Sequence, residues 1–328
     1  MAFQDIADVP KPVVMNGSSN KSSLLEIHAE IPKDNGDKEQ SKEIPAAIGI
    51  VKTEGLEKLE AKLVNSEVEY IESEELKDVE DVDSCMKTLV AELCSKDWVA
   101  LCRALNNVRR LSLFHKEALV SALNDIISLV VKSVKNPRSA VCKTAIMTSV
   151  DIFRTYKDGI VDSLDPLLVQ LLLKSSQDKK FVCEAAESAL ITLTSSVSPL
   201  LLLPKLQPYI KDRNPRIRAK ASMCISRSVP RLGIDGIEAF GIEKLIQVGA
   251  SQLSDQLPES RDAARSLLLE LQSAYERSHI GKPNSLSEVD ATTPSWECFC
   301  ESKLSPLNAQ AVLRVTNFSR EGLAQGGS

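Results

Sequence analysis

The sequence predicts an all-α protein, an α-solenoid of about five helix pairs with disordered tails at both ends, and three observations predict it. First, a polar, often basic turn recurs five times, each time leading into an apolar helix: Lys96-Asp97-Trp98, Lys135-Asn136-Pro137-Arg138, Gln177-Asp178-Lys179-Lys180, Lys211-Asp212-Arg213-Asn214-Pro215-Arg216 and Leu257-Pro258-Glu259-Ser260-Arg261. Second, the same apolar register returns behind each turn, as Leu101/Leu105, Val141/Ala145, Val182/Ala186/Leu190, Ile217/Ala221/Ile225 and Ala264/Leu268. Its first members recur at intervals of 40, 41, 35 and 47 residues. Third, hydrophobic residues make up 43% of the chain but aromatic residues only 4%, which suits helices packed through Leu, Ile, Val and Ala.

A period of roughly 40 residues is that of helix-pair solenoids of the HEAT and armadillo kind. The two Asn-Pro turns fit helix starts: Asn caps the first orphan N–H groups, and Pro at the first helical position loses no needed donor. Asn136 and Asn214 are both expected to be N-caps.

In chain order, residues 1–82 are expected to form an acidic and mostly disordered tail. Residues 1–53 are rich in Lys, Glu, Ser, Asn and Pro and too poor in apolar residues to bury a face. Leu56, Leu59 and Leu63 support at most a short, solvated helix. The folded domain is expected over 83–280. Asp83 or Ser84 caps a helix carrying Met86, Leu89, Val90 and Leu93, and 98–111 completes the first pair. The second pair is 116–134 with 138–156, the third 163–174 with 179–195, the fourth 199–210 with 216–231, and the fifth 241–253 with 260–277. Residues 281–328 turn to Ser, Pro, Asn and Thr and are expected to be mostly disordered, with a short helix near 306–315 introduced by Ser305-Pro306. Because stacked pairs put like turns on the same edge, the five turns are expected along one rim.

Charge follows this division. Residues 1–84 hold 9 Lys against 20 acidic residues, net −11, whereas 85–280 hold 27 basic against 20 acidic residues, net +7. The folded part is the basic part. The first ten residues lack an apolar secretory core, and the most apolar stretch, 164–173, is interrupted by Asp165, Pro166 and Gln170. Neither a signal peptide nor a membrane span is expected, and the location expected is the cytoplasm.

No catalytic constellation is legible. His28, His115 and His279 are scattered; there is no phosphate-cradling GxxxxGK[ST] loop and no HExxH pair. Of the eight cysteines, Cys94, Cys102, Cys142, Cys183 and Cys224 read as small buried hydrophobes with inert thiols. Cys298-Phe299-Cys300 lacks the second pair or nearby His that zinc requires. No cofactor, metal or enzymatic activity is expected. Nucleic-acid binders of this architecture interleave stacking aromatics with their cations, and the rim has a single Trp. An acidic protein surface fits better.

At these turns and helices the sequence resembles the TOG domain, specifically its CLASP and crescerin branch. The residues that carry the resemblance are Asp97-Trp98 with Leu101, Leu105, Arg109 and Leu111; residues 134–141 with Ala145; Ser196-Val197-Ser198-Pro199; and Asp262-Ala263-Ala264-Arg265 with Leu267 and Leu268. The resemblance implies binding of the tubulin heterodimer or the microtubule lattice through the intra-repeat turns, at the microtubule cytoskeleton. Carried over position by position, it implies Trp98 as apolar anchor beside Lys96, then Lys135 and Arg138, Lys179 and Lys180, Arg213 and Arg216, and finally Arg261.

Structural roles stand beside these. The alternative for Trp98 is a core or capping residue over the open end of the first repeat, and for Arg138, Arg216 and Arg261 solvated first-turn residues or partners of neighbouring acids. Cations at helix N-termini oppose the macrodipole, so their recurrence favours an external partner. Ser41-Lys42-Glu43-Ile44-Pro45 is one residue too long for the SxIP motif that recruits end-binding proteins. The alternative function is a helical-repeat adaptor for another protein or peptide.

Overall fold

The structure, a computed structural model, describes residues 70–280 and 295–325. Five helix pairs follow in order: α1 (Val82–Leu93) with α2 (Trp98–Phe114); α4 (Leu123–Val134), after the short α3 (Lys116–Leu119), with α5 (Ser139–Tyr156); α6 (Leu164–Lys174) with α7 (Lys180–Ser196); α8 (Pro199–Leu206) with α9 (Pro215–Ser228); and α11 (Ile242–Gln252), after α10 (Gly233–Phe240), with α12 (Pro258–Ile280). A sixth pair, α13 (Trp296–Lys303) and α14 (Pro306–Gln325), completes the described chain. Among the described residues there is no strand.

The expected apolar register is what stacks the pairs. Leu105, Val141, Ala145, Val182, Ala186, Ile217, Ala221, Ala264 and Leu268 are all buried, and the second helices pack in series, α2 on α5, α5 on α7, α7 on α9 and α9 on α12. Each pair's first helix covers one side of this row. Small residues at the crossing points let the axes approach. At Gly249 on α11 an added Cβ would lie 2.8 Å from Leu268 on α12. The Gly-rich link before the fifth pair has its own reason, since Gly233 and Gly241 hold φ of 68° and 102°, which side chains disfavour.

Helix starts differ in part from expectation. Asp81, rather than Asp83 or Ser84, caps α1 by accepting from the Ser84 N–H at 3.1 Å. Asn214 caps α9 through the Arg216 N–H, as its Asn-Pro sequence implies. Asn136 makes the same bond to the Arg138 N–H at 2.8 Å, but α5 begins only at Ser139 with Arg138 as its N-cap. Asn136 therefore shapes the turn without capping the helix.

Both ends depart further. Residues 70–81, expected within the tail, form a strap against α2 and α5. The Arg109 Nη1 donates to the Ile71 carbonyl at 2.8 Å, the Ser73 hydroxyl donates to Asp151 at 2.7 Å, and Leu76 is buried. The Lys143 ammonium lies 4.0 Å from the Tyr70 ring centroid at one end, and His115 meets Asp78 at 2.7 Å at the other. Beneath the strap the Arg109–Asp151 pair spans 2.7 Å with side chains 1% and 0% exposed. The C-terminal segment, expected to hold one short helix, forms two. Trp296 and Phe299 gather around Tyr275 with ring centroids 5.5 and 4.8 Å away, and the Trp296 indole N–H donates to Thr316. Residues 1–53 and the Leu56–Leu63 motif lie outside the described residues.

Candidate functional site: the rim of intra-repeat turns

Each turn joining the two helices of a pair touches the next. The Arg138 guanidinium lies 5.5 Å from the centre of the Trp98 ring, joining turns one and two. Lys179 Nζ donates to Ser139 Oγ at 3.2 Å, joining three to two. Arg216 Nη1 donates to Asp178 at 2.7 Å and to the Ser176 carbonyl at 3.1 Å, joining four to three. Arg218 Nε donates to Asp255 at 2.6 Å, joining four to five. The turns therefore form one continuous strip.

The strip opens on Trp98. Asp97 caps α2 through the Val99 N–H at 3.0 Å, which fixes the first helical residue and with it the Trp side chain. That side chain packs against the core on one side and carries Arg138 on the other, and Val99 beside it is exposed. Trp98 is thus half-buried, one face covering the core and the other open to the rim. Lys96, Lys135, Arg138, Lys179, Lys180 and Arg213 are exposed.

Two of the expected cations, Arg216 and Arg261, donate hydrogen bonds to carboxylate or carbonyl oxygens of the fold itself. Arg216 holds Asp178 in a pair that is half or more exposed on both sides, and this bond, with the carboxylate charge behind it, raises the already high guanidinium pKa. Such an exposed pair adds little to stability. Arg261 is half-buried and turned inward, its Nη1 donating to the carbonyls of Asp255 and Gln256 at 2.8 and 2.9 Å. Lys180 leans along its own helix toward Glu184 at 3.8 Å.

The rim also contains residues absent from the expected set. Asp97, Asp178, Asp212 and Asp255 place a carboxylate in four of the five turns, and Asn136 takes the corresponding place in the second. That recurrence was a readable signal. Asp97, Asp212, Asp255 and Asn136 each accept from a backbone N–H two residues on, whereas Asp178 accepts from Arg216. Just behind the turns, the Cys142 and Cys183 thiols donate to the carbonyls of Val134 and Ser175 at 3.2 and 3.1 Å, tying the second helix to the end of the first. Burial pushes both thiols up, and Cys224 up to about 12. Cys94, expected to be buried, is exposed, and Cys183, expected to be buried, is half-buried. Cys298 and Cys300 differ in the same way, Cys298 exposed and Cys300 buried, with burial and then the neighbouring acids pushing Cys300 up to about 12.

The second helices form a separate surface. Between α5 and α7 an open groove of about 270 Å³ is walled on one side by Ser73 of the strap and lined by Met147, Val150, Phe181 and Ala185. Among the described residues no group of His, Cys, Asp and Glu is arranged to hold a metal ion, and no helix is long and apolar enough to cross a membrane.

An α-solenoid of paired helices with a continuous rim of polar turns defines a class of binding scaffolds. The family model described as CLASP N terminal matches residues 109–286, more than half of the chain, and the chain belongs to that family. It is 26% identical over 189 residues to the mouse (Mus musculus) TOG array regulator of axonemal microtubules protein 1 and 29% identical over 131 residues to the human (Homo sapiens) protein of the same name. These alignments take in 58% and 40% of this chain but only 10% and 8% of the relatives. Among solved structures, a TOG domain of Zyg9 from C. elegans superposes with a TM-score of 0.50 at 15% identity, covering 81% of this chain and 96% of that one. The MAST/Orbit N-terminal domain gives 0.50 at 11% identity, covering 74% and 98%. The fold is that of a TOG domain.

Proposed function

We propose that the chain binds the tubulin heterodimer, free or within the microtubule lattice, through the rim of intra-repeat turns, and influences microtubule organisation by binding rather than by catalysis. The observation that carries this reading is Trp98, half-exposed under Arg138 at the head of a strip that continues through exposed Lys135, Lys179 and Arg213. An aromatic anchor with peripheral cations is the composition of an interface that docks on an acidic protein surface, the aromatic supplying affinity and the cations speeding association. The relatives, named as regulators of axonemal microtubules, support the same reading. So does a solved structure of tubulin recruitment and assembly by microtubule polymerases with TOG domain arrays, which superposes with a TM-score of 0.50. On this reading the protein works at the cytoplasmic microtubule cytoskeleton, with other microtubule-associated proteins as further partners and neither nucleic acid nor membrane among them.

Size-exclusion chromatography of the full chain with tubulin tests the reading. A complex is expected at micromolar concentration in low salt, weakened roughly thirtyfold by Trp98→Ala, the scale of a hot-spot aromatic. Absence of a complex with folded wild-type chain would sink the tubulin reading and leave the adaptor. The open groove beside Phe181 and Met147 is the surface such an adaptor would use.

A further inference from the structure

We propose that Arg218 and Asp255 are positioning residues of the rim, holding the fourth and fifth turns in one register so that the exposed Arg213 of the fourth turn meets the partner at a fixed place; this rests on the tubulin reading above. Arg218 lies in the first turn of α9 but points along the rim, with its side chain 17% exposed and that of Asp255 5% exposed. Its Nε donates to Asp255 Oδ2 at 2.6 Å, and its Nη1 donates to the carbonyls of Asp212 at 2.9 Å and Arg213 at 3.3 Å. Asp255 in turn accepts from the Leu257 N–H at 3.2 Å through its other oxygen. Arg261 then closes the fifth turn by donating to the Asp255 and Gln256 carbonyls. One planar guanidinium thus fixes the backbone of the fourth turn and the carboxylate of the fifth.

Arg213 sits at the centre of this arrangement. Its carbonyl is held by Arg218, while its side chain is exposed and has no ion pair among the described residues. A largely buried ion pair contributes little net stability, because desolvation offsets the attraction, whereas its directional bonds specify geometry. Among the described residues the first two turns have no equivalent ion pair, and Arg138 over Trp98 joins them. Binding by the basic end of the rim is therefore expected to depend on Arg218 through Arg213, and binding by Trp98 to be independent of it.

A double-mutant cycle on the full chain reads this directly, using tubulin affinity with circular dichroism and thermal melting as folding controls. Arg218→Ala should weaken binding about tenfold when Arg213 is present and less than about twofold in an Arg213→Ala background, since residues that act through one another are not additive. Arg218→Lys, which retains the charge but loses the fork, should restore only part of the affinity. Arg218→Ala combined with Trp98→Ala should multiply the two single effects. Should Arg218→Ala lose its helical signal, the near-isosteric Asp255→Asn takes its place in the same cycle. Equal effects with and without Arg213, or a folded Arg218→Ala that binds like wild type, would overturn the proposal while leaving the tubulin reading intact. No complex of the wild-type chain would remove both.

Discussion

The strap side of the solenoid and the rim of turns are each crossed by an arginine–aspartate pair at 2.7 Å, and burial makes them different objects. Arg109 and Asp151 are sealed beneath the strap, and the polar groups around them are committed: Ile71 carbonyl, Asn106 and Ser73 to Arg109, and Ser73 again to Asp151. Arg216 and Asp178 lie in water. The first pair fixes where an extended segment crosses the helices; the second is an exposed tie between the third and fourth turns. Distance alone does not distinguish a structural ion pair from a surface one.

Removing one member of each pair gives the sharpest contrast. Asp151→Ala leaves the Arg109 charge buried without its partner and should destabilise the fold by about 3–5 kcal/mol in urea unfolding. A loss under about 1 kcal/mol would mean that the strap lifts and admits water. Leu76→Ala, which empties the strap's buried apolar contact, should cost about 2–3 kcal/mol by the same measurement, at the low end for a buried Leu because the strap can collapse onto the site. Trp98→Ala, on the rim, should separate the two quantities, with tubulin affinity falling by about 2 kcal/mol and stability by less. Asp178→Asn should have the smallest effect: an unchanged melting curve, and tubulin association modestly faster at low salt and unchanged at high salt, because Arg216 is released in a screened setting. A melting shift comparable to that of Asp151→Ala would erase the distinction.

The helix pairs were legible because their signal is local and repeated. Leu101, Val141, Val182, Ile217 and Ala264 lie at like positions behind like turns, and all are buried. The strap was illegible for the opposite reason. Glu72, Glu74 and Glu75 give it the composition of a solvated segment, and the groups that hold it, Arg109 and Asp151, lie 36 and 78 residues from Ser73. The C-terminal pair was hidden similarly, since Trp296, Phe299 and Cys300 mean little until Tyr275 and Thr316 are brought to them. On the rim, the sequence placed cations in the turns but not the direction in which each long side chain bends. Arg213 points out, whereas Arg261 and Arg218 bend back onto carbonyls of the chain.

The turns are not the only edge at which neighbouring pairs are tied. On the other edge Tyr156 bonds the Lys116 carbonyl, Ser163 meets Asn124, Asp158 accepts from the Ser198 N–H, and Lys205 pairs with Asp165 at 2.8 Å, at sequence separations of 39 or 40 residues. The rim contacts Lys179 to Ser139 and Arg216 to Ser176 repeat the same separation of 40. Bending the stack would open one edge as it closed the other, so ties on both sides resist curvature in either direction. The solenoid is in this sense a ruler, its graduations set by hydrogen bonds one repeat apart, and a partner that grips two turns must match that spacing or break the ties.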